Sequence, residues 1–256
     1  SDRPALVGPT KLPVGLERSG NAWVSETLPD QTQVVAYGLG DLTRASTVAV
    51  RIHSECLFGD VLGSLKCDCG PQKEDFLASI GSSCPGMLLY VKGHEGRGAG
   101  LVTKTRAYAD VDAHPEKHHN QALLDAGATT LDSRTYDAAA DVLLQVLVQQ
   151  RVGSNPPKLS ESGANSRDQT QGEVTLVLHT NNGKKLEALG RAITRLKGPG
   201  TNFRLTQRAL PATTHRNRFN EKYLREKELH NGQAGLSTTA TTTATKCPAV
   251  DVPPPM

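Results

Sequence analysis

From about residue 46 the chain alternates short apolar runs with amphipathic ones, and this alternation limits the folds open to it more than any other feature. "STVAVRIHSE" (46–55), "GMLLYVKG" (86–93) and "VTLVLHT" (174–180) have the length and β-branched content of strands. Helical patterns follow each: "PQKEDFLASIGSS" with Pro71 in its first turn, "LVTKTRAYAD", and "NNGKKLEALGRAITRL". "YDAAADVLLQVLVQQ" (136–150) is the strongest helix, because Ala and Leu dominate it and its apolar face is wide. "NFRLTQRAL" reads as a last strand and "NRFNEKYLREKELH" as a charged helix or ordered arm. Strand–helix alternation of this kind predicts an α/β (mixed α+β) fold. Ahead of it, residues 1–47 break short apolar pieces with Gly and Pro, as a meander of short strands does. Residues 111–131 read as irregular, 151–173 as a flexible polar insertion, and 232–256 as a disordered low-complexity tail. One domain, residues 1–231, is expected, ending at that tail.

A chain of 256 residues is long enough to bury a sizeable core, and a net charge of +3 is too small to argue for a nucleic-acid partner. No apolar run approaches the length needed to cross a membrane, and no charged-then-apolar leader opens the chain. Five cysteines, an odd number, argue against a disulfide-stapled fold and for a reducing, cytosol-like compartment. Cys84 reads as a turn or core residue and Cys247 as part of the tail.

The other three cysteines form C-x10-C-x-C within "HSECLFGDVLGSLKCDCG" (53–70). Thiolates suit zinc, and structural zinc normally takes four protein ligands. His53 is one source of a fourth ligand, although it stands three residues before Cys56 on a strand, where odd spacing sends side chains to opposite faces. A structural knot closed by a distant ligand is a second arrangement. In a third, the open position holds water, whose pKa a zinc ion lowers to roughly 7. The H-x-E of His53-Ser54-Glu55 imitates the zinc nucleobase deaminases, but the P-C-x-x-C half of that motif is missing.

Two glycine- or asparagine-rich turns offer anion sites. Arg97 stands among glycines in "GHEGRGAGL" at a helix start, where free N–H groups and a guanidinium together suit a phosphate. "TNNGKK" (180–185) places a hydroxyl, two amides and two lysines at a strand-to-helix turn, although Asn181 and Asn182 also serve as plain helix caps. In "LDSRTY", Asp132 and Arg134 share a face if the chain is extended, although a capping Asp and an exposed Arg just before the strong helix account for them more simply.

In their order, "VRIHSECLFGDVLGSLKCDCG", "GHEGRGAGL" with "KTRAY", "DSRTYDAAA", "TNNGKK" and "RALPATTHRNRFNEKYLREKELHNG" resemble GTP cyclohydrolase II, over roughly residues 10 to 232. The resemblance implies one Zn2+ per chain on Cys56, Cys67 and Cys69. It implies a nucleotide site made of Arg51, Ile52, His53, Ser54, Glu55, Gln72, Glu95, Gly96, Arg97, Thr180 and Lys185. Asp132 matches the family's proton acceptor, Arg134 its proposed nucleophile toward the α-phosphate, and Tyr108 the tyrosine that orients water near the metal. The implied reaction is zinc-assisted opening of the guanine ring of GTP at C8, with Mg2+ on the triphosphate. Formate and pyrophosphate leave, and a diamino-ribosylamino-pyrimidinone phosphate enters riboflavin biosynthesis. The resemblance also implies a cytoplasmic homodimer, with no nucleic-acid or membrane partner. An arginine nucleophile is chemically awkward, because its pKa stays very high. The sequence departs from the family on the substrate side: Asn120 is the nearest stand-in for a ligand-contacting threonine, and Gly183 replaces a proline. Two other functions are therefore weighed, a paralogue acting on a uracil-derived nucleotide and a zinc-stabilised nucleotide-binding protein without turnover.

Overall fold

The computed structural model describes residues 4–14, 18–152, 172–196, 202–210 and 215–232. Most of the 151–173 stretch, the 232–256 tail beyond Gly232, and Cys247 lie outside the described residues. A single seven-stranded mixed sheet organises the chain. Strands β1 (Leu6–Pro13), β2 (Ser19–Ser25) and β3 (Gln33–Leu39) form the antiparallel meander expected of the N-terminal region. β4 (Thr47–Ser54), β5 (Gly86–Lys92), β6 (Val174–His179) and β7 (Phe203–Arg208) follow, in the sheet order β1-β2-β3-β5-β4-β6-β7. β5 is the junction: it pairs antiparallel with β3 and parallel with β4, and β4, β6 and β7 continue in parallel.

The parallel strands carry apolar residues on both faces because helices cover both faces. On one side Val48, Val50 and Ile52 of β4 join Met87, Leu89, Leu176 and Leu178 beneath helix α5 (Asp137–Val152), which contributes Val142, Leu143, Val146 and Leu147. On the other side Ala49 and Leu88 pack with Phe76 and Ile80, at and just beyond the end of α2 (Cys69–Ser79). A short helix α1 (Leu57–Asp60) precedes α2 within the cysteine stretch.

Beyond β5 lie a 3-10 turn at Glu95–Gly98, α3 (Gly100–Ala113) and α4 (His119–Asp125); α6 (Gly183–Arg195) and α7 (Glu221–Gly232) complete the helices among the described residues. The expectation of irregular structure over 111–131 is corrected here. α3 runs on to Ala113, and α4 forms because Ala122 and Leu123 bury against Ala107 of α3. A seven-residue helix is marginal alone, so tertiary packing rather than propensity forms it. No described helix is long and apolar enough to cross a membrane.

The carboxyl ends of the parallel strands β4, β5 and β6 point the same way, and Ser54, His94 and Thr180 mark where the chain leaves them. Ligands of open α/β sheets bind outside these ends.

Candidate metal and nucleotide site

Beyond those strand ends lies a cavity of about 230 Å3 that gathers most of the residues singled out in the sequence. Cys56, Cys67, Cys69, Arg51, His53, Ser54, Glu55, Gln72, Glu95, Gly96, Arg97, Tyr108, Asp132, Arg134, Thr180 and Lys185 all line it. Ile52 does not: its side chain is part of the core, and only its carbonyl reaches inward, accepting from Lys185 Nζ at 2.7 Å.

One wall is made of sulfur. The three Sγ atoms lie within 4.8 Å of one another, with Cys56 and Cys67 3.7 Å apart. Gly59 makes room for them, since a Cβ there would stand 2.7 Å from Cys67 Sγ and 3.2 Å from Cys56 Sγ. Behind them Asp60 accepts from the Cys56 N–H at 3.0 Å, from the Tyr90 hydroxyl at 3.0 Å and from His53 Nε2 at 2.9 Å. Arg51 Nε approaches His53 Nδ1 at 3.4 Å, which leaves the ring proton on Nε2. Buried and beside that guanidinium, His53 titrates below its ordinary value, although Asp60 opposes the shift. His53 is committed to Asp60 and stands apart from the sulfur cluster, as the odd strand spacing anticipates.

The donor set suits a soft divalent cation. Hydrogen bonds from Cys67 and Cys69 pull the Cys56 thiol far down, with the Lys104 ammonium adding to the effect. The same contacts with Cys56 raise Cys67 to about 11 and push Cys69 up as well. Three thiolates this close cannot all ionise beside one ammonium, and a bound metal ion would balance them.

The facing wall is cationic. Arg51 donates to Gln72 Oε1 at 2.7 Å, and burial lowers its pKa. Lys185 lies 5.2 Å from the Tyr136 ring centroid; burial first, then Arg51 and Arg134, hold its pKa well below the usual lysine value. Arg134 meets Asp132 as a fork, Nε to Oδ1 and Nη2 to Oδ2 at 2.8 Å each. Burial alone would raise the Asp132 carboxyl, but the Arg134 hydrogen bonds and charge outweigh it and hold it low.

Gly96 and Arg97 both adopt left-handed backbone, φ 58° and 60°, which turns the Arg97 side chain toward Asn120, whose Oδ1 accepts at 2.7 Å. Asn120 therefore bonds to Arg97 and is absent from the cavity lining. The Ser133 N–H donates to Arg97 O at 3.1 Å and ties this turn to the Asp132–Arg134 segment. Asn182 caps α6 through Lys184 N, and Thr180 Oγ1 accepts from Asn182 N at 3.0 Å. Carboxylates expected to face a ligand are occupied internally: Glu55 accepts from Gly93 N at 2.8 Å, and Glu95 from Leu57 N at 2.6 Å.

Sequence reasoning missed Lys104, Tyr223, Lys227 and His94, all of which line the cavity. Lys104 carried a signal, since it precedes Tyr108 by four residues on one helix and the two share a face. Lys227 pairs with Asp68 at 3.1 Å, bringing α7 over the cavity, and nothing local in the sequence announces that contact.

A family model described as GTP cyclohydrolase II matches residues 18–161. The chain is 44% identical over 131 residues to riboflavin biosynthesis protein RibBA of Salinispora arenicola, an alignment covering 50% of this chain and 30% of that one. It is 46% identical over 122 residues to GTP cyclohydrolase-2 of Picrophilus torridus, covering 47% and 62% of the two chains. With a probable monofunctional riboflavin biosynthesis protein RIBA 3, chloroplastic, of Oryza sativa subsp. japonica, identity is 38% over 158 residues, covering 60% and 28%. The match spans about a third of the RibBA relative's length.

Proposed function

Because the chain belongs to the GTP cyclohydrolase II family, we propose that it hydrolyses GTP, opening the guanine ring at C8 and releasing formate and pyrophosphate as a step of riboflavin biosynthesis. The observation that carries this reading is the convergence of three thiols and a cation cluster on one cavity. Cys56, Cys67 and Cys69 would hold a zinc ion, which would supply Lewis acidity able to make water a nucleophile near neutral pH.

The chain's own residues divide the remaining work. Arg51, Arg97, Arg134 and Lys185 grip the triphosphate oxygens, since several charges are needed to balance them, and Mg2+ would share that charge from the phosphate side. Arg51 and Lys185 are desolvated and without an ion pair among the described residues, so an arriving anion meets a poorly solvated guanidinium and an amine that it would hold in the protonated form. Arg134 acts as a clamp on the phosphate rather than as a nucleophile. Burial alone would lower its pKa, but the fork with Asp132 outweighs it and keeps the guanidinium fully charged. Asp132, ionised at neutral pH, orients that clamp through the fork, and it stands at the position that matches the family's proton acceptor. Tyr108 packs beside Phe58 at the sulfur wall, where its hydroxyl orients water. The cytoplasmic homodimer implied by the resemblance belongs to the same proposal.

The test is to incubate the protein with GTP and Mg2+ and to measure formate and pyrophosphate together. Both should appear. Pyrophosphate without formate would mean that the base is wrong, as in a paralogue acting on another nucleotide. Neither product, with zinc bound, would leave a binding protein. Arg134→Lys keeps the charge but loses the planar fork, and should slow pyrophosphate release; normal release would overturn the clamp.

A further inference from the structure

The buried ammonium of Lys104 has no part in the reaction as described so far, yet it touches the sulfur wall. Its Nζ donates to Cys56 Sγ at 3.1 Å and to Glu95 Oε1 at 2.7 Å, with only 9% of either side chain of the ion pair exposed. The Phe58 and Tyr108 rings flank it, their centroids 5.0 and 5.6 Å from Nζ. Glu95 in turn accepts from the Leu57 N–H at 2.6 Å, immediately after Cys56. A lysine held this way is neither solvated nor placed by chance. Aromatic faces hold its charge, and the carboxylate aims it at one sulfur.

We propose that Lys104 is a positioning residue of the metal centre: its ammonium donates a charge-assisted hydrogen bond to the Cys56 thiolate and fixes that ligand against the Glu95–Arg97 turn. The inference rests on the reading of the three thiols as a metal site. An N–H···S bond draws electron density from a thiolate and makes it a weaker donor, leaving a bound cation the stronger Lewis acid. The Lys104–Glu95 pair also joins the sulfur wall to the glycine-rich turn bearing Arg97, so one side chain sets the relation between the metal and the anion site. Glu95 thereby gains a role toward the protein in place of a direct ligand contact.

The experiment uses Co2+ as the metal probe and reads the thiolate-to-cobalt charge-transfer band of the full chain. A hydrogen bond to sulfur lowers the energy of its lone pairs and moves this band to shorter wavelength. Wild type and Lys104→Arg should absorb at the shortest wavelength, Lys104→Gln between, and Lys104→Met at the longest. Formate release by the zinc form of Lys104→Met should fall by about 10–100-fold, with Lys104→Arg partly restoring it. Should Lys104→Met fail to fold, the order of Lys104→Arg and Lys104→Gln against wild type still decides the matter. Bands that coincide in all folded variants would overturn the proposal. Absence of any such band in the wild-type protein would instead sink the metal reading beneath it.

Discussion

Asp60, on the thiol side of the cavity, is satisfied by three donors, and Lys104 and Glu95 answer each other. Across the cavity Arg51 and Lys185 are held by neutral groups, the Gln72 amide and the Ile52 carbonyl. In the first region the charged groups answer one another; in the second, burial outweighs the more distant carboxylates and thiols and holds the Arg51 and Lys185 pKa values down. The difference implies an order of assembly. On the proposed function, the thiol wall is built with the fold, whereas an arriving anion would lower the electrostatic energy of the cation wall.

The largest effect should come from breaking the thiol wall. Cys67→Ser removes one of three soft donors and is expected to abolish formate release and metal retention together, read by elemental analysis beside the activity assay. Full activity in a metal-free variant would end the distinction between the walls.

Acid should expose the cost of the cation wall. Burial first, then Arg134 and Lys185, lowers His94 to about 4; burial first, then Arg208 and Arg51, does the same to His179. In both, the folded pKa lies below the unfolded value near 6.5, so the unfolded chain binds more protons between those limits. Stability is therefore complete above pH 6.5 and lost as pH falls toward 4, by up to about 3 kcal/mol for each histidine. Thermal melts across this window should steepen for wild type and flatten for His94→Gln and His179→Gln. A wild-type melting temperature constant from pH 7 to pH 4.5 would contradict it.

Lys185→Met should weaken pyrophosphate binding by about 10–100-fold, the loss of one charge-assisted hydrogen bond. An anion stabilises the protonated amine, so the complex has the higher pKa and binding takes up a proton above the depressed free value. Affinity should fall as pH rises through that value, and calorimetry in buffers of unlike ionisation enthalpy should show the uptake. The variant should lose both behaviours.

The smallest change sharpens the α6 end of the cation wall. Gly183 opens α6, and a Cβ there meets nothing within 4 Å. Gly183→Pro at this first helical position should stabilise the chain by about 0.4–1 kcal/mol through the unfolded state, visible as a small rise in melting temperature. A fall would mean that the turn needs a backbone proline cannot adopt.

Much of this contrast was legible before any coordinates. The C-x10-C-x-C spacing named the three sulfurs, and strand–helix alternation implied that motifs following successive strands would meet at one edge. The separation of two put Asp132 and Arg134 on one face of an extended chain, but a capping Asp beside an exposed Arg fitted it as well, and only the structure shows the ion pair. α4 could not be read in advance, because its seven residues are stabilised by Ala107 and not by their own propensity. Lys227 could not either, since its partner Asp68 lies 159 residues away.

By itself, then, the sequence determined which chemical groups this protein possesses and on which kinds of element they stand. Periodicity and spacing are local properties, and they survive without a fold. Only the tertiary structure decided which groups are already taken: Glu55 and Glu95 by backbone N–H groups, His53 by Asp60, Lys104 by Cys56 and Glu95. Burial and long-range partners set whether a charge is satisfied or waiting, and neither is written in any short stretch of chain.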